Sequence, residues 1–557
     1  MTTYEFDTTL DPNYPVLTRG NAGEIMPDIV SPLSATLFFP PLERGWRRSF
    51  TETWDVMAWP QCPTTFAPIV GGRFYINISA FRRLADLTPG TSPEDIDRTL
   101  FAAGGITLDR YTAPDEPGYG ERGVRIAAAT AEFLAHPPVE RVASEHATAQ
   151  SRRAEGRLLR ASSTSAELLA RIKALIPVNE SDFVTLFIGS SMSPVALGSL
   201  QAGLIEVYGD AGYEHGRRAV AGVGGIESAN AGRAVAALAQ VPADEFEAAF
   251  AKVLQEYGFR GVNEWEIASP SWEIRPDVLR RAIAAARAGT VERAPQTIRE
   301  AALEQFIRDD VRSKFADLDL WLDRCTAWLA IRERTKATCV LTINEQRLDA
   351  LELGRRLVGD GLLADPADVY FLTLEELTTA VEQRRVDGSG IDRRKRERVY
   401  LEAHREPLFA VAGEVPPVDA WPTHARPDAT GDGADSGVVE ISGAPGSPGV
   451  ATGRARVVRD AYADEPTQHG EVLVAPITDP GWMHLFVGAV AVVAEMGGEL
   501  SHTMIVAREL GIPAVVGAVG ATTAIRTGDM VEVDGSSGVV RIVRDGANMT
   551  DSVVETP

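Results

Sequence analysis

Cysteine is scarce. Cys62, Cys325 and Cys339 are the only three in 557 residues, and no two stand as a CxxC pair. They cannot supply a disulfide framework or a zinc ribbon, and their scarcity points to a reducing, cytoplasmic setting. Positive charge is also short, with 55 Lys and Arg against 78 Asp and Glu, a net charge of -23 and a pI near 4.9. Neither nucleic acid nor an anionic membrane is therefore expected as a partner. Long hydrophobic runs are missing too: the longest, Leu485 to Ala494, is too short to cross a bilayer and reads as a buried strand. The opening Met1-Thr-Thr-Tyr-Glu-Phe-Asp7 has neither a basic start nor an apolar core, so no secretory signal is expected. No Gly-x-x-x-x-Gly-Lys-Ser/Thr phosphate loop occurs.

What is present is an ordinary globular balance, 45% hydrophobic and 24% charged, in a chain long enough for two or three cores. The clearest boundary is residues 412–437, rich in Pro, Gly and Asp and without helical period, which reads as a flexible linker. Before it, residues 1–411 read as mainly helical. Apolar residues recur at three- and four-residue spacing over Leu158–Ile176, Pro242–Tyr257, Asp277–Ala288, Thr297–Arg332 and Leu348–Gly359, and a strand is expected at Arg73–Ile78. After the linker, residues 438–545 alternate short β-branched runs (Arg454–Val458, Glu471–Pro476, Ala489–Val493, Val531–Asp534, Val539–Val543) with turns and at least one helix. Residues 546–557 read as a polar tail.

The most informative single residue is His502, in Glu495-Met-Gly-Gly-Glu-Leu-Ser-His502. Ser501 is a good N-cap, and the apolar run that follows stops at Gly511 and Pro513, which puts His502 in the first turn of a helix. Unpaired N–H groups and the positive end of the helix dipole favour an anion there and keep the imidazole neutral and nucleophilic. Gly497 and Gly498 let the backbone approach a phosphate without a Cβ between. Alone, such a histidine reads better as a cap in a core turn.

The flanks decide. Ser442-Gly-Ala-Pro-Gly-Ser-Pro-Gly449, Val472-Leu-Val-Ala-Pro-Ile-Thr-Asp-Pro480, the His502 stretch and Gly528-Asp-Met-Val-Glu-Val-Asp-Gly535 occur in the order found in one family. The region resembles the phosphohistidine swivelling domain shared by phosphoenolpyruvate synthase, pyruvate phosphate dikinase and rifampicin phosphotransferase. Asn21-Ala-Gly-Glu-Ile-Met-Pro-Asp-Ile-Val-Ser-Pro-Leu33, Tyr257-Gly-Phe-Arg-Gly-Val-Asn-Glu264 and Asp365-Pro-Ala-Asp-Val-Tyr370 resemble the central substrate-binding domain of the same enzymes. The resemblance implies a multidomain chain: a mainly α-helical substrate domain followed by a swivelling β/β/α phosphohistidine domain.

It also implies roles. His502 would carry the phosphoryl group, with Gly497, Gly498 and Ser501 holding the phosphate. Arg332 and Lys336, four residues apart at the end of a helix, fit either a solvated basic edge or a clamp on a transferring phosphoryl group, and the family's Arg-Glu-x-x-Lys pattern favours the clamp. Arg260 and Glu264 are substrate-binding candidates, with an ion pair that merely fixes a turn as the competing explanation. Phe259 stands where relatives often have histidine. His215 reads as a surface helix-end residue, and His484 as a residue near the hinge. Leu500 replaces the dikinase's regulatory threonine. No metal site is expected.

Nothing in the sequence resembles the ATP-grasp domain that charges the histidine in these enzymes, or the phosphoenolpyruvate barrel. ATP and Mg2+ are therefore expected only through a separate ATP-grasp protein, a division resembling phenylphosphate synthase. The acceptor is expected to be a small organic alcohol or phenol, with elimination of phosphate after transfer as a variant. A non-catalytic phosphocarrier or regulatory protein that keeps the fold is the competing expectation.

Overall fold

The computed structural model describes residues 4–54, 64–87, 119–220, 227–287, 295–407, 409–411, 415–423, 438–497 and 501–543. Cys62, Gly498, the tail 546–557 and most of 412–437 lie outside the described residues, as does the side chain of His502. The remaining cysteines, Cys325 and Cys339, are buried free thiols, and burial pushes Cys325 up to about 12. Among the described residues no cluster of three His, Cys, Asp or Glu could hold a metal.

The first region is mainly helical, as its periodicity predicts. Its axis is the 42-residue helix Leu318–Gly359, packed most extensively on Ile176–Tyr208 and then on Val139–Ser162. Here the sequence reading needs correction. The expected helix Thr297–Arg332 falls on three helices, Pro295–Arg308, the one-turn Val311–Lys314 and the start of Leu318–Gly359, the first break lying where Asp310 takes a left-handed conformation (φ +53°). The helix carrying Arg332 and Lys336 does not end there but runs on to Gly359. It is buried nearly all round between Leu322 and Leu357, so no single apolar stripe marks it in the sequence. Thr335 and Thr338 are weak helix formers, but each hydroxyl donates to a carbonyl one turn earlier, at 2.9 Å.

Buried ions pin this helix to its neighbours. Arg160 and Arg171 reach Asp349 at 2.8 and 2.9 Å, and both also pair with Glu345. The stretch Ser165–Tyr208 is apolar and long enough to span a bilayer by length and composition. In this fold 61% of its most apolar window is buried within the chain. A three-stranded antiparallel sheet joins Ile76–Asn77, Val16–Thr18 and Phe409–Val411. Within the segment read as a linker, residues 415–423 pack: Val418 and Trp421 are buried, and the Trp421 ring fills the space where Gly71 has no Cβ.

The second region is one eight-stranded sheet. In chain order the strands are β1 (Val438–Ser442), β2 (Ala444–Ser447), β3 (Val450–Val457), β4 (Glu471–Ala475), β5 (Ala489–Ala494), β6 (Ala514–Val516), β7 (Met530–Asp534) and β8 (Val539–Val543). Their spatial order is β1-β8-β7-β3-β4-β5-β6-β2. The central four, β3 to β6, are parallel, and the flanking pairs are antiparallel. Alternation sorts the side chains: Val472, Val474, Ala491 and Val493 join Val531, Val533, Val540 and Ile542 in one core. Leu473, Ala475, Val492 and Ala494 face the other way and share a core with the helices Glu227–Leu238, Phe246–Tyr257 and Pro276–Ala286. The sheet domain and these helices are thus packed directly together.

Candidate active site

The helix His502–Leu510 follows β5 and begins as the sequence reading requires. Ser501 is extended (φ −63°, ψ 156°) and its hydroxyl accepts the Met504 N–H at 3.4 Å, while Gly511 ends the helix in the left-handed region (φ +65°). Met504, Val506 and Ala507 are fully buried beneath it, and the Arg508 guanidinium donates to the Gly446 carbonyl at 2.7 Å. The loop before the helix is held at its root, because Glu495 accepts the backbone N–H and hydroxyl of Thr522 at 2.7 and 2.6 Å. Thr503 and Thr478 share a hydroxyl hydrogen bond of 2.6 Å, which ties the helix start to the Thr-Asp-Pro turn. Gly497 has φ +136°, a backbone that side-chain-bearing residues rarely adopt.

This loop lies against the helical region. A Cβ on Gly497 would come within 3.2 Å of Glu24 Oε1 and of Ser501 Oγ, and a Cβ on Gly23 would meet Met496 Cε at 2.9 Å. Glu24 sits in the one-turn helix Ala22–Ile25 and is 8% exposed. Arg19 shapes the turn around it, donating to the carbonyls of Met26 (2.9 Å), Pro27 (2.9 Å) and Phe74 (2.8 Å) while pairing with Glu406 at 2.9 Å. The Gly23–Glu24 turn therefore packs against Met496 and Gly497, the described residues of the loop before His502.

Arg332 and Lys336 lie on one face of the long helix with Glu333 between them, at 3.8 Å from Arg332 and 3.5 Å from Lys336. Helix Ile176–Tyr208 comes close because Gly189 has no side chain, its Cβ position being 3.4 Å from the Arg332 Cα. Burial, and then the Arg332 charge, hold the Lys336 ammonium below the usual lysine range; Glu333 and Glu24 oppose the shift. The cations are thus mostly desolvated, and the Glu24 that touches the histidine loop is within electrostatic reach of Lys336.

Arg260 and Glu264 form an ion pair of 2.9 Å that is almost wholly buried, with side chains 2% and 1% exposed. Burial pushes the Glu264 carboxyl up, against the pull of Arg260. Arg347 organises the loop around them by donating to the carbonyls of Glu264 (2.6 Å), Glu266 (3.1 Å) and Ile267 (3.3 Å). Glu266 in turn accepts from the hydroxyls of Ser31 and Ser34 at 2.6 and 2.8 Å. The Phe259 ring is buried between the guanidinium groups of Arg153 and Arg260, 5.2 and 5.0 Å from its centroid. Phe38, Phe183 and Trp265 are closed against one another as core, so these rings do not mark an acceptor opening.

His215 is half-buried against Tyr208 and Phe306. His484 is fully buried beside Trp272, bonds the Gly481 carbonyl at 2.8 Å, and is pushed down to about 4 by burial. Sequence reasoning missed Glu24, Arg347 and Asp479. The first and third stand inside motifs already singled out, where only tertiary contact gives them their place.

Comparison with known proteins places both regions among recognised domain types. Residues 467–538 match the PEP-utilising enzyme mobile domain, and residues 218–333 match the rifampicin phosphotransferase fourth domain. The chain thus combines a phosphohistidine-type mobile domain with a helical domain of the rifampicin phosphotransferase kind. It is similar to the rifampicin phosphotransferase of Streptomyces sviceus, 31% identical over 55% of this chain and 36% of that one. It is also similar to the prodigiosin synthesizing transferase PigC of Serratia marcescens, 32% identical over 53% and 33%. The uncharacterized phosphotransferase YvkC of Bacillus subtilis is 34% identical over 35% and 24%. The matches span about a third of the first two relatives' length or slightly more.

Proposed function

We propose that this chain is the phosphoryl-carrying and acceptor half of a phosphotransferase. His502 takes a phosphoryl group from a separate ATP-grasp protein, which supplies ATP and Mg2+, and passes it to the hydroxyl of a small organic acceptor. The observation that carries this reading is the packing of the Gly497 loop, at the start of the His502 helix, onto Glu24 near the Arg332–Glu333–Lys336 face. A phosphoryl group on His502 would bring dispersed negative charge to two largely desolvated cations, where fixed charges act far more strongly than in water. Arg260 and Glu264, rigid and paired, shape the adjoining loop and would fix the acceptor's position more readily than exchange protons with it. The named relatives include one enzyme acting on rifampicin and one synthesizing prodigiosin, which supports an organic acceptor.

The test is labelling of the full chain with ATP bearing a radioactive β-phosphate, in the presence of a candidate ATP-grasp protein. Acid-labile, base-stable label that disappears in His502→Ala, and that moves to phenol when phenol is added, is the expected result. Label that stays on His502 with every alcohol and phenol offered would identify a carrier or regulatory protein instead.

A further inference from the structure

We propose that Asp479 is a positioning residue that makes the seating of the sheet domain on the helical region depend on a proton: the domain sits down with the Asp479 carboxyl neutral and is loosened when that carboxyl ionises. The join lies within this chain, so the role stands whether or not His502 carries phosphate.

Asp479 belongs to the Thr-Asp-Pro turn after β4, yet the helical region makes much of its environment. It is only 2% exposed. One carboxyl oxygen accepts the Gly481 N–H of its own turn at 2.7 Å, and the other accepts the Asn263 N–H across the join at 2.5 Å. Asn263 is held in place to give that bond. Its backbone is left-handed (φ +54°), and its side-chain amide donates to Asp28 at 2.9 Å and to Ser269 at 3.1 Å. Two acids of the helical region, Glu264 and Asp28, face Asp479 and oppose its charge. Burial above all, and then these acids, hold the seated carboxyl well above the usual carboxylate range; the two N–H donors offset only part of this. Two more buried acceptors of the same loop, Asn263 Oδ1 and Glu264 Oε2, have no hydrogen-bond donor among the described residues. The place is short of protons rather than of acceptors.

The other charged groups at the join are accounted for on both sides. Glu264 pairs with Arg260 and lies within electrostatic reach of Arg347 and Lys336. Tyr462 of the sheet domain feels Asp479, Arg347 and Arg275, and His484 feels Arg281. When the domain is released, Asp479 returns to water and to about 3.9, the ordinary value for an aspartate. Seating therefore takes up a proton wherever the pH lies between the released and the seated values. The seat is strongest below the ordinary carboxylate range. It loosens as pH rises, by up to about tenfold per unit, until the seated value is passed. His484 acts in the opposite sense below 6.5, because burial pushes its ring down to about 4.

The experiment follows hydrogen exchange of the Val262 and Asn263 amides, both bonded across the join, in the full chain between about pH 5 and 9. Each rate is divided by that of the unprotected amide at the same pH. Wild type is compared with Asp479→Asn, which keeps an acceptor oxygen and cannot ionise. The ratio of wild-type to variant opening should rise with pH within that range, by up to about tenfold per unit. His484 and the other titrating groups enter both chains alike and cancel in the ratio. Asp479→Ser, with a shorter acceptor that also cannot ionise, should give the same rise if Asp479→Asn does not fold. A ratio that stays constant, or that falls as pH rises, would overturn the role.

Discussion

The Asp479 carboxylate accepts the backbone N–H of Asn263 at 2.5 Å, joining the turn after β4 to the loop that holds the Arg260–Glu264 pair. Next to this bond the two segments touch backbone to backbone, since a Cβ on Gly481 would lie 2.0 Å from the carbonyl carbon of Gly261. Tyr462 adds a third link, accepting from Val262 N–H at 3.0 Å and donating to the Pro270 carbonyl at 2.5 Å. The sheet domain is thus seated on the helical region by contacts between its turns and one loop.

Gly481→Ala tests that seat. The added methyl has only backbone to displace, so the domains must separate locally while the sheet itself keeps its core. The expected result is an unchanged far-ultraviolet spectrum with about tenfold faster proteolytic cleavage within residues 412–437, about 1.4 kcal/mol of docking lost. Cleavage at the wild-type rate would contradict the observed contact.

Gly497→Ala places a methyl where Glu24, Ser501 and Val516 already lie at 3.2 Å, on a backbone with φ +136°. A loss of about 1–3 kcal/mol in stability is expected from that conformation. Uptake of label on His502 should fall at least as far as the melting curve implies. An alanine variant that melts and charges like the parent would show the loop to be more tolerant than this packing allows.

Lys336→Met keeps the aliphatic stem and removes the cation. Charging of His502 should be unaffected, whereas transfer to an acceptor should slow by about 10²–10³-fold, the scale of losing one charge-stabilising group at a transition state. Quench-flow measurement of label on protein and on phenol separates the two steps. Equal loss in both would place Lys336 in charging rather than in reception.

His484 gives a pH prediction. Its ring is pushed down to about 4 by burial, against 6.5 for a free histidine. The unfolded chain therefore binds the extra proton between these values, and stability falls as pH drops from 6.5 towards 4. Its contribution is fully present above 6.5, and the loss reaches at most about 3 kcal/mol near pH 4. His484→Asn should flatten that part of a stability–pH curve measured by urea unfolding. A curve of unchanged slope would assign the acid sensitivity to other groups.

The strands with β-branched alternation were legible because both cores of the sheet read directly from residues such as Val472 and Leu473. β1, β2 and β6 were not. β2 is Ala444-Pro-Gly-Ser447, whose composition spells a turn and which pairs only because β6 offers it an edge. The long helix was divided in the reading because the burial of residues such as Asn344, Glu345 and Arg347 makes its polar and apolar positions look random. His502 was singled out by local signals that survive without tertiary context, an N-cap, two glycines and a helix stop, and its expected role came from the flanking motifs of the family it resembles. Glu24 carries no such signal. It is an acid in a one-turn helix until the sheet domain arrives beside it.

That arrival has a consequence for timing. Trp482, Met483 and Phe486 of the sheet domain share one dry core with Ala231, Val235, Phe250 and Trp272 of the helices beside it. If the domain swings away as the proposed relay requires, water would have to wet both surfaces together, at about 1.5–3 kcal/mol for each large apolar side chain uncovered. On the proposed function, the residence of His502 at the acceptor site would be governed by the dewetting of a surface remote from the histidine. Substitutions in that apolar patch would change turnover without touching a reacting atom.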